Sequence, residues 1–267
     1  VIYGDYSELD AAREKYTDTF QRVILVNARD NGLGLSSAAV REFGGLAGLE
    51  IRQNLLDRWT QAEKRLLDLV GSVLGLLLLS PLFVLTAALI FIDSPGRIFY
   101  RQLRMGRGGR PFKLLKFRTM QRDADAYLRT CLERDPELKC EWDLYQKLSR
   151  DPRITRVGGF LRKTRLDELP QLINVLRGEM RLVGPRPERP HFVERLVEGV
   201  PDYRWRLTVP PGITGLAQVE RAYDEDLDDV RTKLKYDIFY IENRRPILDF
   251  KILLKTLSVV VGRRGAR

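Results

Sequence analysis

The longest stretch without a charged residue constrains this chain most. It runs from Leu69 to Ile92, twenty-four residues, and is broken near its middle by Ser80-Pro81. About 18 apolar residues are enough for a helix to enter a bilayer, so this stretch is long enough to do so. We therefore predict a membrane-embedded helix over about residues 64–93 rather than a segment of a soluble core.

Pro81 and the flanking charges determine how this helix meets the membrane. Proline lacks an amide donor and clashes with the preceding turn, so we expect a kink there, where Ser80 can bond a freed carbonyl. Basic residues flank both ends: Lys64 and Arg65 before the stretch, then Arg97, Arg101, Arg104 and Arg107 after it. Because Lys and Arg mark cytoplasmic flanks, a re-entrant hairpin with both ends in the cytoplasm is favoured. A single kinked span is the alternative, since prolines also occur in spanning helices.

The composition excludes several other classes of protein. The chain has 267 residues, a formal net charge of +10 and 44% hydrophobic residues, which is enough for one sizeable core and a smaller unit. Its basic residues cluster beside the apolar stretch, which favours anionic lipids and phosphate-bearing substrates over nucleic acid, for which there is no motif. Cys131, Cys140 and the single His191 form no zinc-binding pattern. We expect free thiols and a surface histidine, with a substrate contact as the alternative role of His191.

We predict two units, in a fold of the α/β class that is mainly helical. Residues 1–58 are interpreted as the C-terminal part of a truncated α/β regulatory domain, with a strand at Arg22–Val26 and a helix from Ser36 or Ser37 to Phe43. The chain begins at Val1 without an initiator Met, which indicates a cut through a longer protein. Residues 59–267 are interpreted as one small catalytic domain.

Two further patterns place the catalytic domain next to the membrane. Ile98–Tyr100 and Phe112–Phe117 alternate like two strands around a glycine-rich turn, which predicts a basic β-hairpin just below the bilayer. Residues 123–148 predict charged, solvated helices. Residues 246–261 are apolar apart from a narrow polar arc, which is typical of an amphipathic helix lying in the interface plane.

The first candidate site is the acidic pair Asp167-Glu168, which precedes Pro170. Proline is tolerated at the start of a helix and acids suit the positive end of its dipole, so we expect the pair in a first helical turn. A helix-start acid pair without a catalytic function is the alternative on residue types alone.

The second candidate site is the loop at residues 182–190, LVGPRPERP. Pro185, Pro187 and Pro190 fix its backbone and remove three amide donors, so it holds Arg186 and Arg189 on a stiff, extended segment. A rigid loop that presents arginine suits bidentate binding of phosphate or carboxylate. Proline-rich connectors with surface arginines are the alternative.

Together these motifs resemble a known family. The sequences KRLLDL, FYRQLRMGRGGRPFKLLKFRTM, LRKTRLDELPQLINVLRGEMRLVGPRPE and PPGITGLAQV occur in the order seen in bacterial sugar transferases that are monotopic polyprenol-phosphate phosphoglycosyl transferases. GLAGLEIRQNLL further resembles the large subfamily typified by undecaprenyl-phosphate galactose phosphotransferase, which carries N-terminal transmembrane helices and a nucleotide-binding-like regulatory domain. The resemblance implies a monotopic enzyme with a re-entrant helix, and a homodimer.

The implied reaction occurs at the cytoplasmic face of the bacterial inner membrane. A sugar-1-phosphate, of galactose or glucose, moves from a UDP-sugar to undecaprenyl phosphate and UMP is released, as the first membrane step of O-antigen, capsule or exopolysaccharide synthesis. By resemblance, Asp167 is the nucleophile that forms a phosphosugar-enzyme intermediate, and Glu168 completes the dyad. Asp167 is also the implied ligand of Mg²⁺, together with the substrate phosphates.

Four further residues take implied substrate roles. Arg162 matches a phosphate-binding arginine of the family, and Arg186, between Pro185 and Pro187, matches a contact on the nucleotide side. Lys116 and Arg118 would support the acceptor phosphate or the packing of the site. The chain departs from the family pattern at Arg165, where many members have a small hydroxyl residue. A membrane scaffold that binds anionic lipid without catalysis is the competing interpretation.

Overall fold

The computed structural model describes residues 2–4, 22–27, 38–43, 46–52, 58–145, 148–200, 202–220 and 227–261. The N-terminal residues form a four-stranded sheet with the order β1-β2-β4-β3, made of β1 (Ile2–Gly4), β2 (Arg22–Asn27), β3 (Ala38–Phe43) and β4 (Leu46–Arg52). Strands β1 and β2 are parallel, and the other two pairs are antiparallel.

One expectation for this region is confirmed and one is wrong. The strand predicted at Arg22–Val26 is β2. The helix predicted to end at Phe43 is instead strand β3, which pairs with β4 in the register Phe43↔Leu46. The missed sequence signal is the pair Gly44-Gly45, because two glycines between apolar runs typify β-hairpins.

The apolar stretch forms two helices, α1 (Arg58–Leu78) and α2 (Ser80–Asp93). In the described part of the chain, no single helix has the length and apolar character needed to cross a bilayer. Trp59–Leu78 and Ser80–Asp93 together have that length and composition, with a bend of 61° between them. The Ser80 hydroxyl donates a hydrogen bond to the Leu77 carbonyl (2.8 Å). The predicted kink at Ser80-Pro81 is thus confirmed, and Ser80 satisfies a carbonyl that the proline leaves without an amide donor.

Both helices expose a belt of large apolar side chains. It includes Leu66, Leu67, Val70, Val73, Leu74, Leu77 and Leu78 on α1 and Val84, Leu85, Leu89, Phe91 and Ile92 on α2. The opposite face of α1 packs closely on the rest of the protein at two glycines. A Cβ on Gly71 would lie 2.7 Å from the Leu182 side chain, and one on Gly75 would lie 3.4 Å from Leu172.

The predicted β-hairpin is confirmed. It consists of β5 (Phe99–Met105) and β6 (Pro111–Phe117), which are antiparallel with Phe99 opposite Phe117. The charged segment that follows forms α3 (Ala124–Arg134) and α4 (Pro136–Tyr145), as predicted. These two helices carry the cysteines, both of which are free.

The remaining elements surround the hairpin. They are α5 (Arg156–Thr164), α6 (Gln171–Arg177), β7 (Arg181–Val183), α7 (Pro190–Gly199), β8 (Gly212–Thr214), α8 (Leu216–Glu220), α9 (Leu227–Glu242) and α10 (Pro246–Val261). Helix α10 exposes Ile247, Phe250, Leu254 and Leu257 along one face. The buried core lies between β7, α9 and α10 in one place and between α2, β6 and α5 in another.

Two glycines allow the PPGITG segment to pack against the base of the GPRP loop. Strands β7 and β8 are parallel, and each runs into or out of a proline-rich loop. A side chain on Gly212 would overlap the backbone of Gly184, and one on Gly215 would overlap the Gly184 carbonyl. Only glycine permits this backbone approach, so the PPGITG segment is fixed against the base of the GPRP loop.

Candidate active site

The two carboxylates lie in a sharp turn between two helices. Helix α5 ends at Thr164, Arg165 takes a left-handed conformation (φ 58°), and Leu166–Glu168 forms a 3-10 turn before α6 begins at Gln171. The pair therefore lies just before an α-helix rather than in its first turn as expected. The left-handed residue ends α5 and reverses the chain, and it leaves Asp167 only 9% exposed.

Lys116 reaches both carboxylates from the end of β6. Its Nζ lies 2.7 Å from Glu168 Oε1 and 3.6 Å from Asp167 Oδ2. The strand is held in place by Asn174 of α6, which is fully buried. Its side-chain oxygen accepts from the Leu115 amide and its Nδ2 donates to the Lys113 carbonyl, each at 2.9 Å. The helix that follows the carboxylates thus fixes the strand that carries their cation.

Arg186 approaches the same pair from the proline-rich loop. Its Nη2 lies 3.1 Å from Glu168 Oε1, the oxygen that also binds Lys116. The Arg186 side chain is 43% exposed and the two neighbouring prolines are buried. The loop therefore presents one guanidinium outward, as the proline spacing predicts.

Four donors hold the back of this loop. The Pro185 carbonyl accepts from the Gly212 amide (2.9 Å), that of Arg186 from Arg206 Nη2 (3.1 Å), that of Pro187 from Arg104 Nη1 (3.0 Å), and that of Glu188 from the Met105 amide (2.8 Å). Prolines donate no backbone hydrogen bonds, so these outside donors take the place of regular secondary structure. A small cleft behind the loop is lined by Tyr203, Arg206 and Leu207.

The two carboxyl groups have opposite pKa shifts. Burial would raise the pKa of Glu168, but the charges of Arg186 and Lys116 outweigh burial and lower that pKa to about 2. Burial raises the pKa of Asp167 above its usual value, against the opposing charge of Lys116. Glu168 is thus a permanent anion that fixes two cations, whereas Asp167 is the more basic carboxylate, as a nucleophile requires.

Arg162 lies beside Asp167 and is oriented by Thr119. Its Nε donates to the Thr119 hydroxyl at 2.9 Å, and its charge counteracts the rise in the pKa of Asp167. Helix α5 can come this close to Thr119 because Gly158 has no side chain. A Cβ at this position would overlap the Thr119 carbonyl. The head of α5 is also held by Asp93 of α2, which accepts from the Val157 amide at 3.0 Å.

The structure does not bring every predicted site residue to the carboxylates. Arg118 donates to the Ser94 carbonyl after α2, and its guanidinium lies against Gly96. It therefore occupies a packing position at the end of α2, apart from Lys116. Ser80 and Pro81 form the kink, and His191 is an exposed residue whose ring contacts Phe192.

Sequence reasoning missed Thr119, Asn174, Arg104 and Arg206. Thr119, Asn174 and Arg104 act across more than 40 positions of sequence, and Arg206 reaches the Arg186 carbonyl from 20 positions away. A sequence signal existed for the two arginines, since a segment with two prolines needs donors from elsewhere. Which residues supply them cannot be read from spacing.

Comparison with known proteins gives consistent matches. A family model described as bacterial sugar transferase matches residues 59–263. The chain is 40% identical over 204 residues, 76% of its length, to an Aeromonas hydrophila protein named UDP-N-acetylgalactosamine-undecaprenyl-phosphate N-acetylgalactosaminephosphotransferase, of which the match covers 45%. It is 42% identical over 218 residues, 82% of its length, to the undecaprenyl-phosphate galactose phosphotransferase of Salmonella typhimurium, covering 44% of that protein.

A third relative is covered more completely. The chain is 42% identical over 197 residues, 73% of its length, to a Caulobacter vibrioides protein named UDP-glucose:undecaprenyl-phosphate glucose-1-phosphate transferase, and the match covers 68% of that protein. By contrast, the chain spans less than half the length of the Aeromonas and Salmonella proteins. The three names agree on the lipid phosphate and differ in the sugar.

Proposed function

This chain belongs to the bacterial sugar transferase family, and from that membership we propose that it transfers a sugar-1-phosphate from a UDP-sugar to undecaprenyl phosphate. UMP is the second product. The observation that carries the proposal is the convergence of Asp167 and Glu168 with Lys116 and Arg186, from three separate elements, beside Arg162. A carboxylate attacks a phosphate anion only where cations offset the repulsion, and this arrangement supplies them.

The reaction has two displacements at one phosphorus. In the first, an Asp167 carboxylate oxygen attacks the β-phosphorus of the UDP-sugar, and the bond from that phosphorus to the bridging oxygen breaks, so that UMP leaves with the electron pair. In the second, a phosphate oxygen of the lipid attacks the same phosphorus and the bond to Asp167 breaks. The carboxylate is regenerated and the product is a lipid diphosphate sugar.

The surrounding residues have separate tasks in this scheme. Lys116 and Arg186 offset charge on the diphosphate, and Glu168 fixes both through one oxygen. Arg162, held by Thr119, faces the same phosphates from α5. The family resemblance assigns Asp167 as the nucleophile, and the raised pKa of Asp167 beside the lowered pKa of Glu168 supports that assignment.

The residues fit a Mg²⁺ ion that arrives with the substrate. In the described part of the chain, no group of three or more His, Cys, Asp or Glu could hold a metal by itself. Mg²⁺ usually takes one or two carboxylates plus substrate phosphates and waters, and Asp167 next to a diphosphate matches that set. Asp167 would hold the ion, which when bound neutralises phosphate charge.

We also propose that α1 and α2 form a re-entrant hairpin at the cytoplasmic face of the inner membrane, among anionic lipids. Both ends of the pair contact the same folded unit. Lys64 near the start binds Asp249 of α10, and Asp93 at the end caps α5. A spanning helix would carry its ends to opposite faces, so these contacts favour the hairpin over the single span. A homodimer remains a prediction of the family resemblance.

The catalytic proposal is tested by UMP release. The purified chain is incubated with Mg²⁺, undecaprenyl phosphate and, in turn, UDP-galactose, UDP-glucose and UDP-N-acetylgalactosamine. We expect UMP from at least one donor, with galactose or glucose preferred, and a stoichiometric burst of UMP when the lipid acceptor is omitted. Lipid binding without UMP from any donor would instead support the scaffold interpretation.

The nucleophile is tested by substitution. Asp167→Asn should reduce turnover about 10³-fold or more, as expected when a covalent nucleophile is removed. Asp143→Asn, an exposed carboxylate on α4, is the matched control and should turn over normally. Normal turnover by Asp167→Asn would refute the assignment.

The membrane proposal is tested by labelling. Cysteine is placed at Glu63 and at Arg97, both exposed, in a chain whose native cysteines are replaced by serine. Both positions should react with an impermeant thiol reagent from the cytoplasmic side alone. Labelling of the two positions from opposite sides would establish the single span.

A further inference from the structure

A group of buried charges joins the membrane helix to α9 and α10, away from the catalytic carboxylates. Lys64 binds Asp249, Asp68 accepts from Arg181 Nη1 at 3.1 Å, and Lys64 also lies 3.6 Å from Asp68. The Tyr240 hydroxyl donates to Asp249 at 2.7 Å. Both carboxylates are therefore already engaged by cations on α1 and β7.

The fifth charge of this group has no such partner. Arg244, between α9 and α10, is 7% exposed, and its buried Nε has no hydrogen-bond acceptor. Among the residues described by the structure, no carboxylate forms a salt bridge with Arg244. The group contains three cations, Lys64, Arg181 and Arg244, against two carboxylates, which leaves one positive charge uncompensated.

Charges near Arg244 act on its pKa in both directions. Burial lowers the pKa of the Arg244 guanidinium, and the charges of Arg181 and Arg107 lower it further, whereas Tyr240 and Asp249 raise it. Arginine does not lose its proton in proteins, so the charge remains. A buried guanidinium nitrogen without an acceptor, such as Nε of Arg244, is unfavourable, and an anion would satisfy it.

The position of Arg244 indicates which anion. Lys64 lies two residues before Leu66, where the exposed apolar belt of α1 begins, and its partner Asp249 is in the first turn of α10. Arg244 precedes that helix, whose Ile247 is 70% exposed. If the hairpin enters the membrane as proposed above, Arg244 lies at the level of the lipid headgroups. Phosphate is the anion at that level, and it matches the fork of guanidinium donors.

We propose that Arg244 forms the core of a phosphate-binding site at the junction of α9 and α10, separate from the catalytic carboxylates, that takes the phosphate group of a membrane lipid. The site would compensate the one unbalanced charge of the buried group, and a bound phosphate would add to the Lys64–Asp249 contact that already joins α1 to α10.

The test measures thermal stability in a detergent without phosphate, such as dodecyl maltoside, with inorganic phosphate or short-chain phosphatidylglycerol as the probe. The wild type should gain Tm with phosphatidylglycerol. Arg244→Met should bind that probe about 10-fold more weakly or worse, as expected for the loss of a charge-assisted hydrogen bond. Arg245→Met is the matched control, since it removes the same charge from the exposed neighbouring residue.

The outcomes separate the possible sources of the phosphate. A gain in Tm with phosphatidylglycerol alone that Arg244→Met loses supports the lipid site, whereas an equal gain with inorganic phosphate alone assigns the site to a soluble anion and overturns the lipid assignment. Equal gains in wild type and Arg244→Met overturn the site altogether. Without a probe, Arg244→Met should unfold at the same or a higher temperature than wild type, because it removes an uncompensated buried charge.

Catalysis is measured in parallel to keep the two proposals distinct. Arg244→Met should release UMP within about twofold of the wild-type rate in detergent, since Arg244 is not among the residues at the carboxylates. Asp167→Asn should keep the full gain in Tm with phosphatidylglycerol. If no UDP-sugar yields UMP, the difference in Tm between the Arg244 and Arg245 variants still decides the phosphate site.

Discussion

The two sides of the proposed active site are built in different ways. The turn at Leu166–Glu168 is joined directly to α5 and α6, so its shape follows from residues close in sequence. The loop at Pro185–Glu188 has two prolines and takes its four carbonyl bonds from donors elsewhere in the chain. Glu168 Oε1, which binds Lys116 and Arg186 together, is where the two sides meet. The geometry of the site thus depends on Glu168, whose position is set by residues close in sequence, and on Arg186, whose loop is held by distant donors.

Among the residues that connect or position the two sides, the largest effect is expected from Glu168, where the sides meet. Glu168→Gln keeps the size of the side chain but removes the charge that fixes both Lys116 and Arg186. Loss of one preorganised electrostatic contact typically costs about 10²–10³ in rate, and we expect kcat/KM for the UDP-sugar to fall by about that factor. UMP release gives the rates, and thermal unfolding confirms that the variant is folded.

Glu194→Gln on α7 is the control for Glu168→Gln, because Glu194 is exposed. It should be indistinguishable from wild type. If Glu168→Gln also kept full kcat/KM, the charge of Glu168 would not be what positions Lys116 and Arg186. The two sides would then not depend on Glu168 Oε1 as their point of contact.

The next effect tests the support of the loop from behind. Arg206→Met removes the donor to the Arg186 carbonyl while leaving the Arg186 side chain intact. We expect kcat/KM to fall about 10-fold, mainly through KM, as for the loss of one charge-assisted hydrogen bond. Because Arg206 also binds the buried Asp237 at 2.9 Å, thermal unfolding is measured for the same variant.

A double-mutant cycle separates positioning from general stability. If Arg206 acts through Arg186, then Arg206→Met should add little to Arg186→Ala, and the two effects should not be additive. Arg204→Met, on the same 3-10 turn but exposed, should have no effect in either background. Full additivity would show that Arg206 stabilises the fold without positioning the loop.

The same contrast explains what the sequence could predict. The kink at Pro81, the hairpin around residues 106–110 and the outward Arg186 all follow from rules that act over a few residues, and all three are observed. The separation of Arg118 from Lys116 did not follow from the sequence, because it is set by a tertiary contact of the Arg118 side chain with the Ser94 carbonyl beyond the end of α2. Contacts made by Asn174, Arg206 and Thr119 depend on tertiary packing that residue spacing does not encode.

The smallest effect is expected on the locally built side. Thr119→Val is close to isosteric and removes the hydroxyl that accepts from Arg162 Nε, while the Thr119 carbonyl keeps its bond from the Thr155 amide (3.1 Å). Arg162 is exposed, so the lost bond should cost about 1 kcal/mol, which corresponds to roughly a fivefold drop in kcat/KM. Thr130→Val, which removes an exposed hydroxyl on α3, should change nothing.

The ratio of the losses in kcat/KM for Arg206→Met and Thr119→Val tests whether the two sides of the site differ in how they are held. Helix α5 holds Arg162 in place even without the Thr119 hydroxyl, because Gly158 and the cap from Asp93 still fix that helix. The Arg186 carbonyl lies in a segment without regular secondary structure, so the loss of its donor in Arg206→Met should reduce kcat/KM more than Thr119→Val does. If Thr119→Val instead reduced kcat/KM more than Arg206→Met, Arg162 would depend on one hydroxyl more than Arg186 depends on its distant donors. The turn side, and not the loop side, would then be the one that relies on distant support.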